Sequence, residues 1–179
     1  MTLGPFLRPW SGQAFRLIPA DSSYAVLDLR FAGSGALNRW NRQGEPTLYL
    51  ASDRGVALAE FARHFPEDRS LGLPSPAVER AVYRLEVVVG AVIDVRDPAV
   101  QRALSLKKAP SCFLDRAVAR STAQFPRRTT AAEALIVPSM AFLDAPERWA
   151  LVLFLEKLPA DPRRFVHAVD AAGTFQVGI

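Results

Sequence analysis

Arg39-Trp40-Asn41 comes shortly after Gly33-Ser34-Gly35-Ala36, and Gly44 follows it. A glycine-bearing loop with an arginine and an indole suits a flat, anionic ligand. The guanidinium fork pairs with phosphate oxygens and the ring offers a stacking face. The same tripeptide also reads as a surface arginine beside a core tryptophan. Tyr49 lies between Leu48 and Leu50. In a strand the leucines take one face and the phenol the other, toward solvent or a cleft. Glu60 stands one helical turn before His64. That is either an i,i+4 pair of modest strength or a carboxylate held at a cleft floor with a chemical task. Ser139 follows Pro138 at the end of the apolar run Ala134–Val137. A strand-end serine serves a site or an ordinary turn.

Other chemistries lack their residues. Ser139 is not set in a Gly-x-Ser-x-Gly elbow, so it does not read as a hydrolase nucleophile. His64, His167 and Cys112 lie too far apart to give metal-ligand spacing. Cys112 is expected as a buried helical residue. Neither glycine-rich phosphate-loop pattern occurs, and Gly33 and Gly35 follow a polar stretch, not a strand.

The candidate residues need elements to carry them. Ala14–Ile18 and Thr47–Ala51 read as strands. A helix capped by Ser52 or Asp53 is predicted to run to about Phe65, before Pro66, with an apolar stripe of Ala57, Leu58, Phe61, Ala62 and Phe65. Pro66–Pro76 carries three prolines and reads as a surface loop. Ala81–Val89 alternates as a strand, which Ala91–Val95 extends. Asp97-Pro98 is a helix start. Ser111 is placed as the cap of a helix through Gln124, ended by Pro126. Ala134–Val137 and Trp149–Glu156 complete the strands, the latter apolar on both faces as a central strand is. The tail from Pro159 shows no clear pattern. Strands that outnumber helices without regular alternation predict an α+β fold, a mixed sheet with a few packed helices.

The bulk properties fit one domain over residues 1–179, with its core at about 14–157. Half the residues are hydrophobic, and no apolar run approaches the ~18 residues of a membrane span. The start lacks the pattern of a secretory signal. A single cysteine allows no internal disulfide and agrees with a reducing compartment. The net charge of +4 comes from 22 basic and 18 acidic residues, and only three of the basic ones are lysines. The arginines are spread along the chain, so direct nucleic-acid binding is not expected.

As an ordered set, Phe15-Arg16, Gly33-Ser34-Gly35-Ala36, Arg39-Trp40-Asn41 with Gly44, Tyr49 with Ala51-Ser52, Ala57 with Glu60 and His64, and Val137-Pro138-Ser139 resemble the RES-domain family, the toxin half of Res–Xre toxin–antitoxin pairs. Asn38 stands where that family usually has glycine. The resemblance implies a fold like the ADP-ribosyltransferase toxins. It also implies cleavage of NAD at the nicotinamide–ribose bond, with transfer of ADP-ribose to a protein, or a non-catalytic partner-binding module, as alternatives. Glu60 would hold a ribose hydroxyl and stabilise the oxocarbenium-like sugar. Arg16 and Arg39 would anchor pyrophosphate or ribose, Tyr49 would wall the site, and Ser139 would orient the glutamate. Trp40, Asn41 and Ser52 would complete the NAD site. NAD is then a substrate, with no cofactor and no metal. The implied partner is an Xre-type antitoxin that covers the cleft in the cytoplasm. A homodimer is left open, and no membrane is involved.

Overall fold

The structure, a computed structural model, describes residues 2–23, 25–63 and 78–177. In chain order these form β1 (Arg8–Pro19), β2 (Thr47–Ala51), α1 (Arg54–Ala62), β3 (Val78–Asp94), α2 (Pro98–Ala103), α3 (Arg116–Thr129), β4 (Ala134–Pro138), β5 (Trp149–Phe154) and β6 (Val166–Val177). The fold is α+β, as expected. β5 lies between β2 and β4, antiparallel to both, with Leu151 opposite Leu50 on one side and Ile136 on the other. β4 pairs in parallel with the end of β3 at Val92–Asp94. The earlier part of β3 is antiparallel to β1 on one edge and β6 on the other. β1 meets β2 where Phe15 faces Ala51. The pairing therefore closes a circuit through β1, β2, β5, β4 and β3, with β6 outside it.

Strand alternation divides most of the core in two, beside a small third cluster of Ala51, Val56 and Ala57 where β2 meets α1. Leu48, Leu50, Leu151, Leu153, Ala134 and Ile136 pack with Ala14 and the β3 residues Leu85, Val87 and Val89. The opposite face of β4 and β5, with Leu135, Val137, Val152 and Phe154, packs under α3 and Phe113. β5 is covered on both faces, which is why it is uniformly apolar. Each large aliphatic side chain fully buried this way contributes about 1.5–3 kcal/mol.

Several elements depart from expectation. β1 runs well beyond Ala14–Ile18, because its pairing with β3 extends from Arg8 to Pro19. α1 is capped by Asp53, whose Oδ1 accepts from the Val56 N–H at 2.9 Å. Its buried residues are Val56 and Ala57, while Leu58, Phe61 and Ala62 are half-buried. Residues 64–77, which include Phe65 and the proline-bearing stretch, lie outside the described residues. Ser111–Leu114 is a 3-10 turn, and the partly exposed Cys112 sits in it. α3 starts at the Asp115 cap and passes through Pro126 to Thr129. A proline inside a helix removes one backbone bond. Here the last turn is clamped from outside: the buried Arg127 donates to both Glu156 carboxylate oxygens at 2.6 Å, to Thr47 Oγ1 at 3.0 Å and to the Pro46 carbonyl at 3.0 Å. The tail beyond Pro159 supplies β6, so the paired strands extend past the expected core on both sides.

Candidate active site

β2 runs through a turn at Ser52-Asp53 directly into α1. The Ser52 N–H donates to the Trp149 carbonyl at 2.9 Å, and the Ser52 hydroxyl donates to Asp53 Oδ2 at 3.1 Å. Ser52 thus fixes the turn and is not among the cavity-lining residues. Tyr49 on β2 and Glu60 on α1 both line one cavity of about 310 Å³. Its walls also carry Arg39, Phe61, Arg63 and Arg116. The apolar stripe of α1 is only partly buried because Phe61 faces this space, while Ala57 both lines it and packs with Ala51 and Val56.

The Glu60 carboxylate is fixed from below. Its Oε1 accepts from the Ser139 hydroxyl at 2.5 Å and from the Ala141 N–H at 3.0 Å. Ser139 is fully buried, and its own N–H donates to the Arg148 carbonyl at 3.1 Å. It therefore reaches the cavity only through Glu60. Glu60 Oε2 lies 3.5 Å from Arg63 Nη1, a partly exposed pair of small energetic weight. The Glu60–His64 pairing falls outside the described residues.

The loop before β2 is held by side chains, not by a ladder. The Tyr49 hydroxyl accepts from the Trp40 N–H at 3.0 Å and donates to Asn41 Oδ1 at 2.6 Å. Burial pushes the Tyr49 phenol well above its ordinary pKa, partly countered by the Trp40 N–H, so it serves as a neutral donor. Asn41 is fully buried, and its amide donates to the Gly33 carbonyl at 3.0 Å and the Arg42 carbonyl at 2.6 Å. Asn41 is a structural strap and does not line the cavity. Trp40 reaches the lining but is almost wholly buried, its ring 4.9 Å from that of Phe113. Arg39 also lines the cavity, while its Nη1 donates to the Phe113 and Leu114 carbonyls at 2.7 and 2.9 Å.

Arg16 is placed elsewhere. β1 turns Phe15 and Leu17 to the cavity and Arg16 to the other side. Its guanidinium donates to the carbonyls of Val26 and Asp28 beside a second, smaller hollow. Burial lowers its pKa, and the nearby Asp28 opposes that shift. Of the residues named from sequence, Arg39, Trp40, Tyr49 and Glu60 meet at the cavity and Ser139 supports it from beneath. Arg16, Asn41 and Ser52 do not line it.

Sequence reasoning overlooked Arg63 and Arg116. Arg63 follows Glu60 by three residues, one turn on along α1, and Arg116 follows the Asp115 cap of α3. Those positions were the available signals, but spacing alone does not separate them from the other scattered arginines. Among the described residues, three arginines against the single Glu60 carboxylate give the lining an excess of positive charge, suited to an anionic ligand that presents an electron-poor centre to Glu60.

Comparison with known proteins agrees with this architecture. No curated protein matches the chain in sequence. A chain of the M. tuberculosis MbcT–MbcA toxin–antitoxin complex superposes with a TM-score of 0.60 at 17% identity, over 96% of this chain and 86% of that one. At that identity the likeness speaks for the fold. The RES domain matches residues 13–176, nearly the whole length, and the chain belongs to the RES domain family.

Proposed function

We propose that this protein is the toxin of a toxin–antitoxin pair and that it cleaves NAD at the nicotinamide–ribose bond. The observation that carries this reading is the Glu60 carboxylate, held by Ser139 and Ala141 at the wall of a cavity lined by Arg39, Arg63 and Arg116. NAD matches such a site in its chemistry. Its pyrophosphate is anionic, and cleavage leaves positive charge on the ribose carbon. Family membership and the likeness to a chain of a toxin–antitoxin complex support the toxin role.

In the proposed reaction the bond from the ribose anomeric carbon to the pyridinium nitrogen breaks. Its electron pair goes to that nitrogen, and neutral nicotinamide leaves. Glu60 stabilises the oxocarbenium-like sugar. Because Oε1 is committed to Ser139 and Ala141, Oε2 is the oxygen assigned to the sugar. Water adds at the anomeric carbon and loses a proton, giving ADP-ribose. Arginines on the wall hold the pyrophosphate through charge-assisted bonds. The protein acts in the cytoplasm, and an Xre-type antitoxin covers the cavity.

The direct test is to incubate purified protein with NAD and follow nicotinamide and ADP-ribose by chromatography. Equal amounts of both are expected. Nicotinamide release with ADP-ribose attached to protein would assign a transferase instead. Unchanged NAD would overturn the reading.

A further inference from the structure

We propose that Arg120 is a positioning residue for this cavity, acting through the turn that presents Arg39. This rests on the reading of the cavity as an NAD site. Arg116, Arg120, Gln124 and Arg127 recur along α3 at spacings of four, four and three, and so share one helix face. Arg116 lines the cavity. The other three grip the segment that leads from Ala36 into β2. Arg120 donates from Nη2 to the Ala36 and Asn38 carbonyls at 2.6 and 2.7 Å and from Nε to the Asn38 carbonyl at 3.0 Å. Gln124 donates to Glu45 Oε2 at 2.6 Å, and Arg127 holds Pro46 and Thr47.

The Gly35–Asn38 turn needs such a hold. Ser34 to Leu37 are exposed, and the turn's own backbone bond, from the Asn38 N–H to the Gly35 carbonyl, is long at 3.4 Å. The segment is fixed at its far end, where Trp40 donates to Tyr49. Arg120 fixes the near end, directly beside Leu37, Asn38 and Arg39, all of which line the cavity. A planar guanidinium can bridge two carbonyls from one rigid fork, whereas an ammonium is a point donor on a flexible stem. Arg120 therefore sets the backbone from which Arg39 reaches the cavity, while the Phe113 and Leu114 carbonyls hold the Arg39 guanidinium.

Arg120→Lys and Arg120→Gln separate this role from simple attraction of an anion, because lysine keeps the charge and loses the fork. Both variants are expected to raise the KM for NAD about tenfold while kcat changes less, as for loss of a binding geometry shared by ground and transition states. Amide hydrogen exchange, read without any substrate, is expected to quicken at residues 36–41 and to stay unchanged in β2. Wild-type KM and wild-type exchange in Arg120→Lys would overturn the proposal, as would faster exchange spread evenly over the fold. If the wild-type protein leaves NAD intact, the NAD reading fails, and the exchange measurement still decides the role of Arg120.

Discussion

The Ser139 hydroxyl donates to Glu60 Oε1 at 2.5 Å across 79 residues of sequence. The bond joins the end of β4 to the last turns of α1, the two elements that flank the cavity floor. One carboxylate oxygen is thereby removed from competition with water, and the orientation of the other is set before any ligand arrives. Preorganisation of this kind is how a charged group stabilises a developing cation without reorganising during the reaction.

Glu60→Gln is expected to lower the rate of NAD cleavage by about a hundredfold or more, because the charge that stabilises the sugar cation is lost. The fold should survive. A glutamine carbonyl oxygen still accepts from Ser139 and Ala141, and the side chain is about a third exposed. Nicotinamide release and a thermal melt on the same preparation check both parts. Near-full activity would leave Glu60 as an ordinary helical residue and end the proposed mechanism.

Ser139→Ala is expected to act on kcat and not on KM. Ser139 is fully buried beneath Glu60, so it has no surface for the ligand. Without its hydroxyl, Oε1 keeps only the Ala141 N–H, and the carboxylate gains freedom at a cost of about tenfold in kcat. Loss of the bond also lowers stability by about 1 kcal/mol. A rise in KM with unchanged kcat would place Ser139 in ligand contact instead.

The parts of this site legible in sequence were those coded locally. The Thr47–Ala51 strand, the Asp53 cap and the helix bearing Glu60 each follow from neighbouring residues, and the structure has them at those places. Contacts reached across the chain were not legible locally, and the Ser139–Glu60 pairing was implied only by the family resemblance. Trp40 looked like a stacking platform, yet its ring is packed on Phe113, 73 positions along the chain. Asn41 looked like a ligand contact, yet it straps Gly33 and Arg42. Pro126 looked like the end of a helix, but the tertiary clamp at Arg127 carries α3 past it. Arg16 follows a β1 residue that does face the cavity, so the alternation of the strand sends it to the other side.

Gly33 and Gly44 give a paired stability test of the loop. Both have φ near +84°, a region that costs other residues about 1–2 kcal/mol. At Gly44 nothing lies within 4 Å of an added Cβ, so Gly44→Ala is expected to cost only that backbone strain. At Gly33 the added carbon would stand 1.9 Å from the Glu45 carbonyl oxygen and 2.8 Å from the Thr47 nitrogen. The backbone there must move, and it carries the carbonyl that accepts from Asn41 and Gly44. Gly33→Ala is therefore expected to cost about 3 kcal/mol or more. Urea unfolding of the two variants side by side checks the difference, and equal losses would contradict the described packing.

Tyr49 makes stability depend on pH at the alkaline end. Burial raises its pKa in the folded protein above the ordinary phenol value. The folded state thus holds this proton more tightly than the unfolded chain does. The resulting stability is fully present below the unfolded pKa of about 10 and is lost as pH rises beyond it. Unfolding free energy measured from about pH 8 to about pH 11 should therefore fall over the upper part of that range. Tyr49→Phe removes the ionisation, so that contribution to the fall should vanish. The variant also leaves the Trp40 N–H and the buried Asn41 Oδ1 without their phenol partner, and should be less stable at neutral pH by about 1–3 kcal/mol. The two effects have opposite consequences. Tyr49→Phe starts lower and declines less steeply, so its deficit against the wild-type protein narrows as pH rises. A constant deficit across the range would show that the Tyr49 phenol contributes its hydrogen bonds alone and that it is not held protonated by the fold.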